Sequence, residues 1–202
     1  MRCSAQWDAR VLTAEATRTT QTLAQPTHEL LTAAVRGERA AQRELYDAFA
    51  PLVFGICLRY GRSRAEAQDF SQETWLMIFR KLDRYAGAGS FEGWLRRVTA
   101  NCCLSGLRAT GLTFTELPPV LPTGLHVDPT ALSELGAAEL AAHVASLPEG
   151  YRLVFNLVAV EGFSHAEAAE ALGISESSSR SQLTRARAAL QRCLTSQKTQ
   201  PV

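Results

Sequence analysis

Residues 163–190 read FSHAEAAEALGISESSSRSQLTRARAAL, two short helical patterns with a glycine between them. Ser164 followed three residues later by Glu167 is a capping-box signature, and Phe163 is placed to staple the helix entrance. Ala168, Ala169 and Leu172 form the apolar stripe of the first helix, which ends at Gly173. Ile174 turns the chain inward and Ser175 caps the second helix. There Ser179, Leu183, Ala186 and Leu190 fall at i, i+4, i+7 and i+11, which predicts a buried seam. The other face then holds Ser177, Ser178, Arg180, Ser181, Gln182, Thr184, Arg185 and Arg187. Helix, tight turn, second helix is the helix-turn-helix pattern. Small side chains near the N-terminus of the second helix let its backbone approach a duplex closely, and that terminus favours a phosphate. Arg and Gln supply donors for phosphate oxygens and for base edges in the major groove. A helix that served solubility alone would carry Glu and Lys, so this face reads as a DNA contact rather than plain polar surface.

Working outward, ELGAAELAAHVASLP and GYRLVFNLVAVEG supply two more helices from about Leu135, the first stopped by Pro148 and the second apolar enough to be core. Residues 111–134 hold four of the eight prolines and no helical period, which reads as a linker at a domain boundary. A first helical block spans about 28–110. HELLTAAVRG ends at Gly37, a natural left-handed C′ residue. RAAQRELYDAFAPLVFGICLRYG follows, with a kink or break expected near Ala50 because of Pro51. SRAEAQDFSQETWLMIFRKLDRY opens on a second capping-box signature, Ser63 with Glu66. Gly87 and Gly89 open a loop, and Ser90 starts FEGWLRRVTANCCLSGLRA. The expected fold is all-α: two small helical domains, 28–110 and 135–195, joined by a flexible linker, with a poorly ordered extension at 1–27 and a tail at 196–202.

The 202 residues are ordinary in composition, 46% hydrophobic and 20% charged, with a net charge of only +1. The distribution says more. Residues 36–110 carry twelve Lys/Arg against eight Asp/Glu, residues 111–173 one against eight, and residues 174–202 five against one. Two basic segments flanking an acidic one suit two separate contacts with a polyanion. No apolar run approaches the length of a membrane span or a signal-peptide core, so the expected address is the cytoplasm without membrane insertion. Five cysteines, an odd number with no CxxC, signal neither a disulfide framework nor a zinc site. His28, His126, His143 and His165 are scattered, and no catalytic triad, carboxylate pair or phosphate loop is visible, so neither enzymatic chemistry, a metal nor a cofactor is expected.

LPEGYRLVFNLVAVEGFSHAEAAEALGISESSSRSQLTRARAAL resembles the C-terminal promoter-binding domain of bacterial sigma factors of the extracytoplasmic-function type, in the sigma-70 family. AEAQDFSQETWLMIFRKLDRYAGAGSFEGWLRRVTANCCLSGLR resembles that family's other conserved domain, which binds core RNA polymerase and opens the DNA. The two patterns stand in the family's order, across roughly 29–110 and 135–195. The resemblance implies a dissociable initiation factor without chemistry of its own, recognising a −35 duplex element and melting and recognising a −10 element. It implies three partners: core RNA polymerase (the clamp helices of the largest subunit and the flap of the second-largest), promoter DNA and an anti-sigma factor. The competing reading, an autonomous helix-turn-helix regulator, needs neither a docking face nor a base-capture loop.

By resemblance, QDFSQETW is the segment that docks on polymerase, with Asp69, Gln72 and Glu73 at its polar positions. The spacing agrees in placing Asp69, Gln72, Glu73 and Leu76 on one helical face. YAGAGSFEGWLRR resembles the loop that captures a base flipped from the −10 element, with Tyr85, Ser90, Phe91 and Trp94 as its candidates, although Trp94 also suits a core position. Flipping costs a few kcal/mol of stacking, offset by aromatic contact. Arg96, Arg97, Asn101 and Arg108 recur along the following helix. Asn101 matches a position near the −10 element, and Arg97 and Arg108 match basic positions near the DNA backbone. The −35 contacts fall to Ser177, Ser178, Arg180, Ser181, Thr184, Arg185 and Arg187. Two departures leave the promoter sequence unspecified. Ser105 stands where an acidic or amide residue is common, and Ser177-Ser178-Ser179 stands where Gly-Thr-Val is common.

Overall fold

The computed structural model describes residues 25–111 and 137–198, with side chains described for 25–111 and 141–192. Most of the expected N-terminal extension, the linker and the end of the tail lie outside the described residues. All described secondary structure is helical, and the chain divides into two compact units.

The first unit comprises α1 (His28–Val35), α2 (Arg39–Tyr60), α3 (Arg64–Lys81), a 3-10 turn at Leu82–Arg84, and α4 (Phe91–Ala109). Thr27 caps α1, its side chain accepting from the Leu30 N–H, and Gly37 takes the left-handed conformation at φ 84° just beyond the helix. Helices α2, α3 and α4 each pack on the other two. Their shared core includes Leu45, Val53, Ile56, Tyr60, Ile78, Leu95 and Leu104, all essentially inaccessible. Each fully buried Leu or Ile stabilises by about 1.5–3 kcal/mol.

Two local expectations hold only in part. Of the kink or break expected near Ala50, the break is absent, for helix α2 runs continuously through Pro51. The missing N–H and ring clash cost about 3 kcal/mol in a helix interior. Pro51 itself is exposed, while Phe49, Leu52 and Val53 around it are buried, so core burial on both sides holds the helix together. At the start of α3 the Ser63 side chain accepts from the Glu66 N–H as expected, but the Glu66 carboxylate accepts from the Arg62 N–H rather than from that of Ser63. The Arg62 guanidinium, 2.7 Å from the same carboxylate, draws it one residue further back.

The second unit comprises α5 (Ala137–Ala145), α6 (Glu149–Val154), a π-helical turn at Phe155–Val160, α7 (His165–Leu172) and α8 (Glu176–Lys198). Helix α7 starts with a complete capping box between Ser164 and Glu167. Phe163 is buried, as a staple residue should be, and Gly173 ends α7 in the left-handed conformation at φ 67°. Leu153, Leu157, Leu172, Ala186 and Leu190 form the core. The GYRLVFNLVAVEG segment is not the single α-helix expected. Its second half widens to i→i+5 bonding, with the Glu161 N–H donating to the Asn156 carbonyl at 2.9 Å.

Candidate nucleic-acid interface

Helix α3 has two faces. Ala67, Phe70, Thr74, Trp75 and Ile78 are buried, while Asp69, Gln72, Glu73 and Leu76 are all exposed. Leu76 is 60% exposed, a large apolar side chain left to water beside three polar ones. A cleft of about 350 Å³ between α3 and α4 is lined by Glu73, Leu76, Arg80, Asn101, Cys102 and Ser105 among others. It brings Glu73 and Leu76 of α3 against Asn101 of α4, which the sequence reading assigned to a different contact. Burial pushes the Cys102 thiol above its ordinary pKa. The neighbouring Thr74 hydroxyl opposes that shift, and the nearby Glu73 charge adds to it.

The loop between α3 and α4 carries an aromatic cluster. The Phe91 ring lies 5.2 Å from Tyr85 edge-on, 5.6 Å from Trp94 nearly parallel and 5.1 Å from Phe49. Phe91 is 1% exposed, so it is the floor of this cluster rather than a wall open to an extruded base. Tyr85 and Trp94 are half-buried above it, and Trp94 is therefore not a full core residue. Ser90 caps α4, accepting from the Gly93 N–H at 3.0 Å. The Tyr85 hydroxyl donates to the Gly89 carbonyl at 2.9 Å and accepts from the Gln25 amide at 2.8 Å. Gln25 belongs to the stretch expected to be poorly ordered; its side chain is instead held at both ends, as the Phe91 N–H donates to its Oε1 at 3.1 Å. Nothing in the local sequence signals that contact, which joins residues more than sixty positions apart.

Along α4, Arg97, Asn101, Ser105 and Arg108 are exposed at i, i+4, i+8 and i+11, a single face. Arg108 reaches Ser105 Oγ at 3.4 Å. Arg96 lies off this face, half-buried and paired with Glu92 at 2.7 Å. A guanidinium so engaged has less to offer a phosphate.

In the second unit Ser175 caps α8, accepting from the Ser178 N–H at 3.2 Å. Ser177, Arg180, Thr184 and Arg187 are exposed, and Ser178, Ser181 and Arg185 are half-buried at the margins of the same face. Arg180 pairs with Glu176 one turn back. The inward seam is as expected, with Ser179, Leu183, Ala186 and Leu190 buried. Gln182 departs from the expectation. It is 3% exposed, not part of the outer face. Position 182 lies three after Ser179 and four before Ala186, inside the buried stripe, so its rotational position outweighs its polarity.

The family model Sigma-70 region 2 matches residues 45–113, and Sigma-70 region 4 matches residues 137–190. A relative, ECF RNA polymerase sigma factor SigE of Mycolicibacterium smegmatis, is 33% identical over 75% of this chain, which spans 62% of that protein's length. SigM of Mycobacterium tuberculosis is 33% identical over 82% of this chain and 83% of its own. Among solved structures, CnrH in complex with the cytosolic domain of CnrY is 25% identical over 83% of this chain and 96% of that chain, with a TM-score of 0.48. RpoE of Bartonella quintana in complex with the anti-sigma factor NepR is 21% identical over 76% and 96%, with a TM-score of 0.49. Two helical units with the region 2 and region 4 patterns, in that order, define the class as a sigma-70 type initiation factor. The chain belongs to the extracytoplasmic-function group of that family.

Proposed function

We propose that this chain works by lending core RNA polymerase two promoter contacts and has no catalysis of its own. Region 2 docks on the polymerase clamp helices through Asp69, Gln72, Glu73 and Leu76. Tyr85 and Trp94 receive a base flipped from the −10 element, over the Phe91 floor and beside Ser90. Arg97, Asn101 and Arg108 follow the adjacent strand, with a lesser share for the paired Arg96. Region 4 presents Ser177, Ser178, Arg180, Ser181, Thr184, Arg185 and Arg187 to the −35 duplex. Strand opening is driven by binding energy, since extruding a base costs only a few kcal/mol and stacking on aromatic rings offsets it.

The observation that carries this reading over an autonomous regulator is Leu76, 60% exposed within an otherwise polar face of α3. An apolar side chain set among exposed Asp69, Gln72 and Glu73, on the segment that resembles the family's docking helix, suits a protein contact at that place, which an autonomous regulator does not need. The third partner in this reading is an anti-sigma factor. The site of action is the cytoplasm, where polymerase and promoters are. Among the described residues no helix is long and apolar enough to cross a membrane.

Run-off transcription with core polymerase on a random promoter pool, followed by sequencing of the starts, tests the reading. It is expected to return one spaced pair of elements. Equal starts across the pool, or none beyond core alone, contradicts it.

A further inference from the structure

The loop at 85–90 has little packing to fix its shape. Gly87 and Gly89 take positive φ values of 72° and 84°, and a Cβ added at either would meet nothing within 4 Å. Hydrogen bonds must therefore set the loop's geometry, and the structure shows a closed chain of them. The Phe91 N–H, left without an intrahelical partner at the first position of α4, donates to Gln25 Oε1. The Gln25 amide donates to the Tyr85 hydroxyl, which donates in turn to the Gly89 carbonyl. Donor and acceptor roles are fixed throughout. A backbone N–H can only donate, so the carbonyl end of Gln25 must face it, and the amide end faces Tyr85.

Gln25 is also held in place from its own side. Pro26 limits both its own φ and the backbone of the residue before it, and Thr27 is the N-cap of α1. These restraints act on the backbone; the exposed Gln25 side chain still gives up rotamer freedom when it bonds, which its two hydrogen bonds offset.

We propose that Gln25 is a positioning residue for base selection at the −10 element. It locks Tyr85 over the Phe91 floor and closes the glycine loop, so that the pocket is formed before the base arrives. The inference rests on the base-capture reading of the loop. Preorganisation of this kind strengthens discrimination without a direct contact to DNA.

The test uses holoenzyme assembled from core polymerase and the full-length chain, with start sequencing on a promoter library randomised through the −10 element. Gln25→Ala is expected to weaken base preference at a single −10 position by about tenfold, between the worth of one and of two ordinary hydrogen bonds. Preference at the −35 element, which reports a folded factor, is expected to stay unchanged. Gln25→Glu keeps the acceptor for the Phe91 N–H but has no proton for Tyr85, whose hydroxyl must then leave Gly89. It is expected not to rescue. In a Tyr85→Phe background, Gln25→Ala is expected to add no more than about threefold, because the shared bond is already gone and only the bond from the Phe91 N–H is left to lose.

Full rescue by Gln25→Glu, in which Tyr85 stays held but the Gly89 bond is lost, would show that closing the glycine loop is dispensable and overturns the inference. Unchanged preference in Gln25→Ala, while Tyr85→Ala and Trp94→Ala flatten the same position, also overturns it and leaves the base-capture reading intact. If Tyr85→Ala and Trp94→Ala leave every −10 position unchanged, the base-capture reading itself fails, and the role of Gln25 with it.

Discussion

His165 Nδ1 lies 2.9 Å from Ser179 Oγ, joining the first residue of α7 to the fully buried fourth residue of α8 across the Gly173 turn. A serine contributes little apolar contact to the seam, so this bond carries part of the load that a larger side chain would carry. Ser179→Ala is expected to destabilise the packing of α7 on α8 by about 1 kcal/mol. Faster amide exchange along α8, with α2–α4 unaffected, is the expected readout. Unchanged protection would show that the bond contributes nothing.

Gly55 and Gly106 are both inside helices, and alanine should act oppositely at the two. A Cβ at Gly55 meets nothing within 4 Å, so Gly55→Ala is expected to stabilise by about 0.5–1 kcal/mol through helix propensity. A Cβ at Gly106 would sit 2.4 Å from Cε1 of Phe70, a buried ring. Overpacking costs about 1–3 kcal/mol, more than propensity returns. Gly106→Ala is therefore expected to be destabilising, and a raised melting temperature would contradict the close α3–α4 approach.

Asp69→Ala with Gln72→Ala is expected to weaken binding to core polymerase while leaving thermal stability within about 0.5 kcal/mol, because both side chains are exposed. Leu76→Ala should behave likewise. Pull-down with core polymerase checks this, and undiminished capture would remove the docking role from this face.

Arg187→Ala and Arg185→Ala are expected to weaken binding to the −35 duplex, by about 1–3 kcal/mol with relaxed base preference if the contact is to a base edge. A phosphate contact instead gives a uniform loss and a salt slope lower by about one. Exposed Arg187 is expected to show the larger effect, and half-buried Arg185 the smaller. Titrations across two salt concentrations distinguish the two cases. No loss for either variant would exclude this helix face.

What could be read from the sequence was what depends on neighbours in the chain. The Ser164–Glu167 box, the Ser90 start of α4 and the buried run Ser179, Leu183, Ala186, Leu190 each follow from spacing along one helix. The exposed face of α3 with Asp69, Gln72, Glu73 and Leu76 was legible for the same reason. Gln182 was misplaced because its polarity was given more weight than its rotation. Phe91 could not be distinguished from Tyr85 and Trp94, since burial at a loop-helix junction depends on Phe49, far off in sequence. The contacts of Gln25 are non-local, and no local pattern announces them. The capping box at Ser63 failed in half because Arg62 competes for Glu66, a tie decided by geometry.

The π-helical turn at Phe155–Val160 has a consequence for insertions and deletions. The turn ends its helix rather than interrupting it, since α7 starts only at His165 after a short loop. That loop is fastened back to the turn by two backbone bonds, from the Glu161 N–H to the Asn156 carbonyl and from the Phe163 N–H to the Leu157 carbonyl, both at 2.9 Å. Gly162 between them takes a positive φ of 76°, and Phe163 is buried. Adding or removing one residue between Leu157 and Phe163 would break the second bond and unseat Phe163, so the entrance to α7 is fixed in length.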